Sequence, residues 1–163
     1  MTNKKYIAPV KLSVGHIHLT VGNMDSSLKF YRDILGFEVT QHLGDAVFLS
    51  IGGYHHTLGL NTWSANNAQT PQEGQIGLYH FALLYPTRKD LANVLKQLIE
   101  ARYQIDGAAD HGVSHSLYLR DPDGNGVELY TDKDKSDWPH TRDGKLDMHT
   151  KALDIQTLLK EAD

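Results

Sequence analysis

A repeated pattern constrains this chain more than any other feature. "GHIHLTVGNMDSSLKFYRDIL" (residues 15–35) and "YHFALLYPTRKDLANVL" (79–95) each run from a His through an apolar strand and a turn into an amphipathic helix. His16 and His80 hold the same place in the two copies, 64 residues apart. In the first copy His16, His18 and Thr20 alternate with Ile17, Leu19 and Val21, so the two sets take opposite faces of a strand. Asp25 or Ser26 can cap the helix that follows, Leu28, Tyr31 and Leu35 recur along it, and Gly36 ends it. Strands over 37–43, 46–52 and 54–63 complete the unit. The second copy predicts a strand over 77–85 and a helix over 87–101 with Leu91, Val94, Leu95 and Leu98 on one face. A weak strand or loop at 103–110 follows, then a hairpin over 114–132 turning through Pro122, Asp123 and Gly124. The pattern is βαβββ, stated twice.

At 163 residues the chain can form one domain or two small halves sharing a core. Residues 1–63 make the first module and 77–132 the second. The polar stretch "SANNAQTPQEGQI" (64–76) is the linker, and 133–163 is a C-terminal extension. Leu153, Ile155, Leu158 and Leu159 give that extension a short amphipathic helix over 151–163, read as a packing appendage, with a lid or a dimer arm as the alternative. A net charge of −4 without a basic cluster argues against nucleic acid as a partner. With no Cys there is no disulfide, no thiolate nucleophile and no Cys-ligated zinc, so any metal must be held by His and carboxylates. No apolar run approaches the ~20 residues that cross a bilayer. The polar N-terminus does not read as a signal peptide, which points to a cytoplasmic protein and no membrane partner.

Each unit must cover one sheet face with its own helix. The Ile17/Leu19/Val21 face meets that need, so His16 looks the other way. His80 shares a face with Ala82 and Leu84, and Glu128 points opposite to its apolar neighbours Val127 and Leu129. Two imidazoles and one carboxylate, from three strands and on the face the repeat turns inward, form the ligand set of a divalent metal with open positions. Taken singly, a strand His is more often a hydrogen-bonded core residue, and a strand Glu a solvated one. The case rests on their joint placement. His55 has the parity of Thr57, Gly59 and Asn61, which makes His55 and Asn61 candidates for lining a substrate cavity. His18 and His56 read as structural or substrate-facing, and His42, His140 and His149 as surface residues.

"HIHLTVGNMDSSLKFYRDILGFEV" and "RDPDGNGVELY" resemble the vicinal-oxygen-chelate superfamily, which includes glyoxalase I, extradiol dioxygenases and bleomycin-resistance proteins. The resemblance covers roughly residues 10–132. It implies an α+β fold of two βαβββ modules, whose eight strands form a cupped, incomplete barrel around a metal, with the helical extension outside it. By position it implies His16, His80 and Glu128 as ligands. Glyoxalase I would have a fourth, a Glu, where this chain has Gly59, a departure that argues against that activity. "DHGVSHSLYLRDPDGNGVELY" (110–130) is similar to the active-site segment of catechol dioxygenases and implies Tyr118 and His111 beside the substrate. Tyr118 has the inward parity of Ser116 and Arg120. The acid-base His that extradiol enzymes carry before the second ligand has no counterpart, since that region holds Asn66 and Asn67.

The resulting expectation is a ring-cleaving dioxygenase acting on a small substrate with adjacent oxygens. Fe(II) is the first choice of metal, with Mn(II), Zn(II), Ni(II) and Co(II) as alternatives, and the assembly is a homodimer. The runner-up is a glyoxalase-like lyase or isomerase using the metal as a Lewis acid. A non-catalytic, drug-sequestering binding protein is the alternative of another class, opposed by retention of all three candidate ligands.

Overall fold

The computed structural model describes residues 6–65, 69–72 and 74–163. Two open, mixed sheets make up the fold, each largely antiparallel but with one parallel pair. The first holds β1 (Ile17–Thr20), β2 (Glu38–Leu43), β3 (Ala46–Ser50) and β4 (Leu58–Asn61) in the order β1-β4-β3-β2. The second holds β5 (Phe81–Leu84), β6 (Gly107–Asp110), β7 (Ser114–Arg120), β8 (Gly126–Asp132) and β9 (Lys151–Ala152) in the order β5-β8-β7-β6-β9. Among the described residues the strands thus number nine, where eight are expected. The ninth comes from the C-terminal extension, where a helix over 151–163 is predicted. Lys151 and Ala152 instead pair with Asp110 and Ala109. The helix, α3, is confined to Ile155–Leu159, because Asp154 caps it by accepting from the Gln156 and Thr157 N–H groups.

The other differences from the sequence reading are local. α1 (Met24–Leu28) is capped by Asn23, whose side chain accepts from Ser26 N at 2.9 Å, and not by Asp25 or Ser26. It widens into a π-helical turn over Lys29–Ile34, closed by Leu35 N donating to Phe30 O, before Gly36 ends it at φ +79°. β4 begins only at Leu58. Gly52 and Gly53, at φ +65° and +77°, form a turn, and residues 54–57 connect it to the strand. α2 (Arg88–Glu100) is capped as a pair: the Thr87 hydroxyl accepts from Asp90 N and donates to the Asp90 carboxylate.

One hydrophobic core joins the two sheets. Leu91, Ala92, Val94, Leu95 and Leu98 of α2 pack with Leu117, Leu119, Val127 and Leu129 of β7 and β8, and with Leu19, Phe30, Tyr31 and Leu60 of the first unit. Because strand side chains alternate, this commits Glu128, Tyr130 and Tyr118 to the face away from α2. A polar clasp also ties the units. Tyr31, fully buried at the end of the first helix, donates to Asp121 Oδ2 at 2.7 Å in the β7–β8 turn. Gly22 N donates to Asp123 Oδ1 in the same turn.

Candidate active site

The two sheets are built on one register, which aligns the copies residue by residue. Ile17 pairs with Leu58 and His18 with Gly59; Phe81 pairs with Val127 and Ala82 with Glu128. His16 therefore corresponds to His80, His18 to Ala82 and Gly59 to Glu128. The equivalent positions are filled in opposite ways. In the first sheet a Cβ on Gly59 would come within 2.9 Å of the His18 ring, so imidazole occupies the space above the glycine. In the second sheet the residue paired with Glu128 is the small Ala82.

His80 precedes β5, and its approach depends on a glycine. A Cβ on Gly126 would lie 2.2 Å from Tyr79 O and 2.9 Å from the His80 Cβ, so only glycine lets the chain press this close to β8. His80 Nε2 then stands 3.1 Å from Glu128 Oε2. Two donors each ~2.1 Å from one ion and at about a right angle would be ~3 Å apart, so this pair fits two neighbouring positions of a divalent cation. The hairpin register sets Tyr118 directly across from Glu128. The Tyr118 hydroxyl lies 3.0 Å from Glu128 Oε1 and 2.7 Å from His111 Nε2. Burial first, then the Glu128 charge, pushes the Tyr118 phenol pKa up, so it is a proton holder at neutral pH. The four side chains form a continuous relay: His80, Glu128, Tyr118, His111.

His111 sits on a tight turn held from both sides. Asp110 Oδ1 accepts from Gly112 N at 2.7 Å, and both Asp110 oxygens accept from Lys133 Nζ. Two hydrogen bonds from Lys133 and one from Gly112 outweigh the opposing effect of burial and hold the Asp110 carboxyl at about 2.

The expected meeting of His16 with His80 and Glu128 is not present. Among the described residues no three His, Asp or Glu side chains are placed to hold one ion. His16 precedes β1, is exposed, and packs its ring 4.6 Å from that of His56. The reason is local: the first unit carries its own pile of rings. His56 lies 5.1 Å from Phe48 and 4.5 Å from His55, and His18 contacts both Phe48 and Trp63. Burial and the neighbouring imidazoles His55, His16 and His18 lower the His56 pKa. The two residues expected to line a substrate cavity belong to this first sheet as well. His55 is exposed, with Nδ1 2.7 Å from His56 Nδ1. Asn61 is buried at 6% exposure, and its side-chain oxygen accepts from Trp63 N and Thr20 Oγ1. Asn66 and Asn67 lie outside the described residues.

Two participants escape the sequence reading, whereas His18, read as structural or substrate-facing, fills the space over Gly59. His149, read as a surface residue, packs on Gly112, where a Cβ would come within 2.8 Å of its ring. Thr150 reaches His111. A cleft of about 870 Å³ lies between the end of the first helix and α2, and none of the relay residues line it.

Paired βαβββ units with an imidazole–carboxylate face define a class of protein. A family model described as the Glyoxalase/Bleomycin resistance protein/Dioxygenase superfamily matches residues 13–129, and the chain belongs to that superfamily. It is 41% identical over 149 residues to a catechol-2,3-dioxygenase of Bacillus subtilis, covering 91% of this chain and 52% of that protein. It is 30% identical over 138 residues to a manganese-dependent 2,3-dihydroxybiphenyl 1,2-dioxygenase of Geobacillus genomosp. 3, covering 81% of this chain and 40% of the relative. The chain thus spans about half the length of these relatives. Among solved structures, a lactoylglutathione lyase of Agrobacterium tumefaciens superposes with a TM-score of 0.57 at 25% identity, covering 74% of this chain and 95% of the other. No helix among the described residues is long and apolar enough to cross a membrane.

Proposed function

We propose that this protein is a divalent-metal-dependent enzyme of the extradiol dioxygenase type, opening a ring next to two adjacent hydroxyls of a small substrate. The observation that carries the reading is the relay on the second sheet, in which a cis-spaced imidazole–carboxylate pair is backed by a phenol and a second imidazole within hydrogen-bond reach. The likeness to the two dioxygenases supports it. His80 and Glu128 would hold the cation, with His16 as the third ligand that the repeat implies. Fe(II) is the first choice, and the manganese dependence named for one relative makes Mn(II) the second. A bound cation would supply Lewis acidity to two adjacent oxygens and a common meeting point for substrate and dioxygen.

The protein's own residues do the rest. Glu128 orients the Tyr118 hydroxyl, which donates toward negative charge developing on a substrate oxygen. His111, behind Tyr118, takes up or returns the proton. Ala82, small and paired with Glu128, would leave room for the substrate ring, and the exposed His55 of the first unit would border the approach. We place the enzyme in the cytoplasm as a homodimer; the exposed apolar Val10, Leu12 and Val14 offer surface to a second copy.

Oxygen uptake by the untagged chain, loaded with Fe(II) or Mn(II) and offered a panel of substituted catechols, tests the reading. Uptake matched by a ring-opened product is expected. A chain that consumes no oxygen with any catechol, yet turns over a thiol adduct or epimerises a 2-oxo acid derivative anaerobically, would establish the Lewis-acid lyase or isomerase instead.

A further inference from the structure

The C-terminal extension reads as a packing appendage, yet it ends against the active-site relay. β9 pairs with β6 through Ala109–Ala152 and Asp110–Lys151. Carrying that antiparallel register one step further sets Thr150 beside His111. His149 N donates to His111 O at 3.2 Å, so the extension is fastened to the backbone of the residue it serves. On the imidazole itself, Nδ1 lies 3.3 Å from His149 O and 3.2 Å from Thr150 Oγ1. The other ring nitrogen, Nε2, lies 2.7 Å from the Tyr118 hydroxyl.

We propose that Thr150, with the His149 carbonyl, is a positioning element that fixes the tautomer of His111 and so sets the direction of the Tyr118 proton; the catalytic meaning rests on the dioxygenase reading above. A carbonyl oxygen can only accept. If the Thr150 hydroxyl donated to Nδ1, the His149 oxygen would face a lone pair at hydrogen-bond distance. A proton on Nδ1 removes that conflict and is shared between the two oxygens. The neutral ring then presents an Nε2 lone pair to Tyr118, and the hydrogen bond at one nitrogen decides the state of the other. Tyr118 has a single hydroxyl proton and two acceptors in reach, Glu128 Oε1 and His111 Nε2. Fixing the proton on Nδ1 keeps His111 an acceptor, so the phenol can pass its proton to His111 as it takes one from a substrate hydroxyl, and receive it back when it donates to the developing oxyanion. With the proton on Nε2 instead, His111 would donate to the phenol oxygen and could not receive. Gly112 makes this contact possible: at φ +80° and with no Cβ, it lets the His149 ring and Pro139 close over the turn.

The test reads the tautomer directly. Long-range ¹⁵N–¹H spectra of the metal-free full chain, at a pH where imidazoles are neutral, distinguish Nδ1–H from Nε2–H, with the His111 signals assigned by their loss in His111→Gln. Wild type and Thr150→Ser are expected to show Nδ1–H. Thr150→Val leaves the His149 carbonyl as the one acceptor at Nδ1 and is expected to weaken the preference, giving mixed Nδ1–H and Nε2–H signals at an unchanged melting temperature, and a severalfold lower kcat where activity is measurable. An Nε2–H ring in wild type, or an unaltered ring in Thr150→Val, overturns the proposal. Because the spectra need neither metal nor turnover, a shifted tautomer without oxygen uptake would leave the positioning intact and remove only the dioxygenase reading.

Discussion

Tyr31→Phe isolates the clasp between the units. Tyr31 is fully buried and Asp121 is 4% exposed, and their hydrogen bond spans ninety residues of sequence. Burial first, and the Asp121 charge next, push the Tyr31 pKa far up, so the hydroxyl is always the donor. Asp121 accepts four hydrogen bonds in all: from Tyr31 and the Asn125 side chain on Oδ2, and from the Asp123 and Asn125 N–H groups on Oδ1. Removing the hydroxyl deletes one charge-assisted bond but leaves three, so the carboxylate is never stranded. The cost should fall in the lower part of the range for bonds to charged groups, about 2 kcal/mol. For a chain of this size that corresponds to a melting temperature lower by about 4–8 °C. Calorimetry or circular dichroism measures it, and a double-mutant cycle with Asp121→Ala should return a coupling of ~1–3 kcal/mol. The ring keeps its packing, so no cavity confuses the result. A variant melting within about 1 °C of the parent, or a cycle with no coupling, would show that the clasp contributes nothing.

Two other expectations follow from the site. Tyr118→Phe should bind metal as the parent does but lose about 10–10³-fold in kcat, the scale of one lost oxyanion donor, checked by oxygen uptake and metal analysis on the same sample. Asp110 is held at about 2, below the ordinary carboxyl value, so its contribution to stability is complete above about pH 4 and disappears as pH falls toward 2. Lys133→Met should therefore lower stability at neutral pH, modestly because the pair is partly exposed, with the difference from the parent shrinking as pH falls toward 2, checked by denaturant melts at pH 7 and near pH 2.

Much of this was legible in the chain because it depends on periodicity. Strand parity sends Glu128 and Tyr118 to the same face, and repetition sets His80 against β8, since side-chain direction follows from alternation alone. That Gly59 holds the place in the first unit that Glu128 holds in the second is shown by the shared register of the sheets. Where neighbours compete, the sequence decides less. Asn23, Asp25 and Ser26 are all helix-capping types, and three-dimensional context selects Asn23. His16 has the right parity, but its exposed ring packs with His56, a choice that alternation does not govern. The tie from Thr150 to His111 crosses 39 residues and depends on a two-residue strand, which carries no pattern of its own.

The central claim is that His80 and Glu128, completed by His16, hold one divalent cation, and titration calorimetry of Fe(II) or Mn(II) into the metal-free untagged chain tests it most directly. About one equivalent should bind to wild type and to a His55→Ala/His56→Ala variant, with binding lost or weakened at least ~10-fold in His80→Ala, Glu128→Gln and His16→Ala. Full binding by His80→Ala or Glu128→Gln, or binding that disappears only when His55 and His56 are removed, would place the ion on the first sheet and contradict the account.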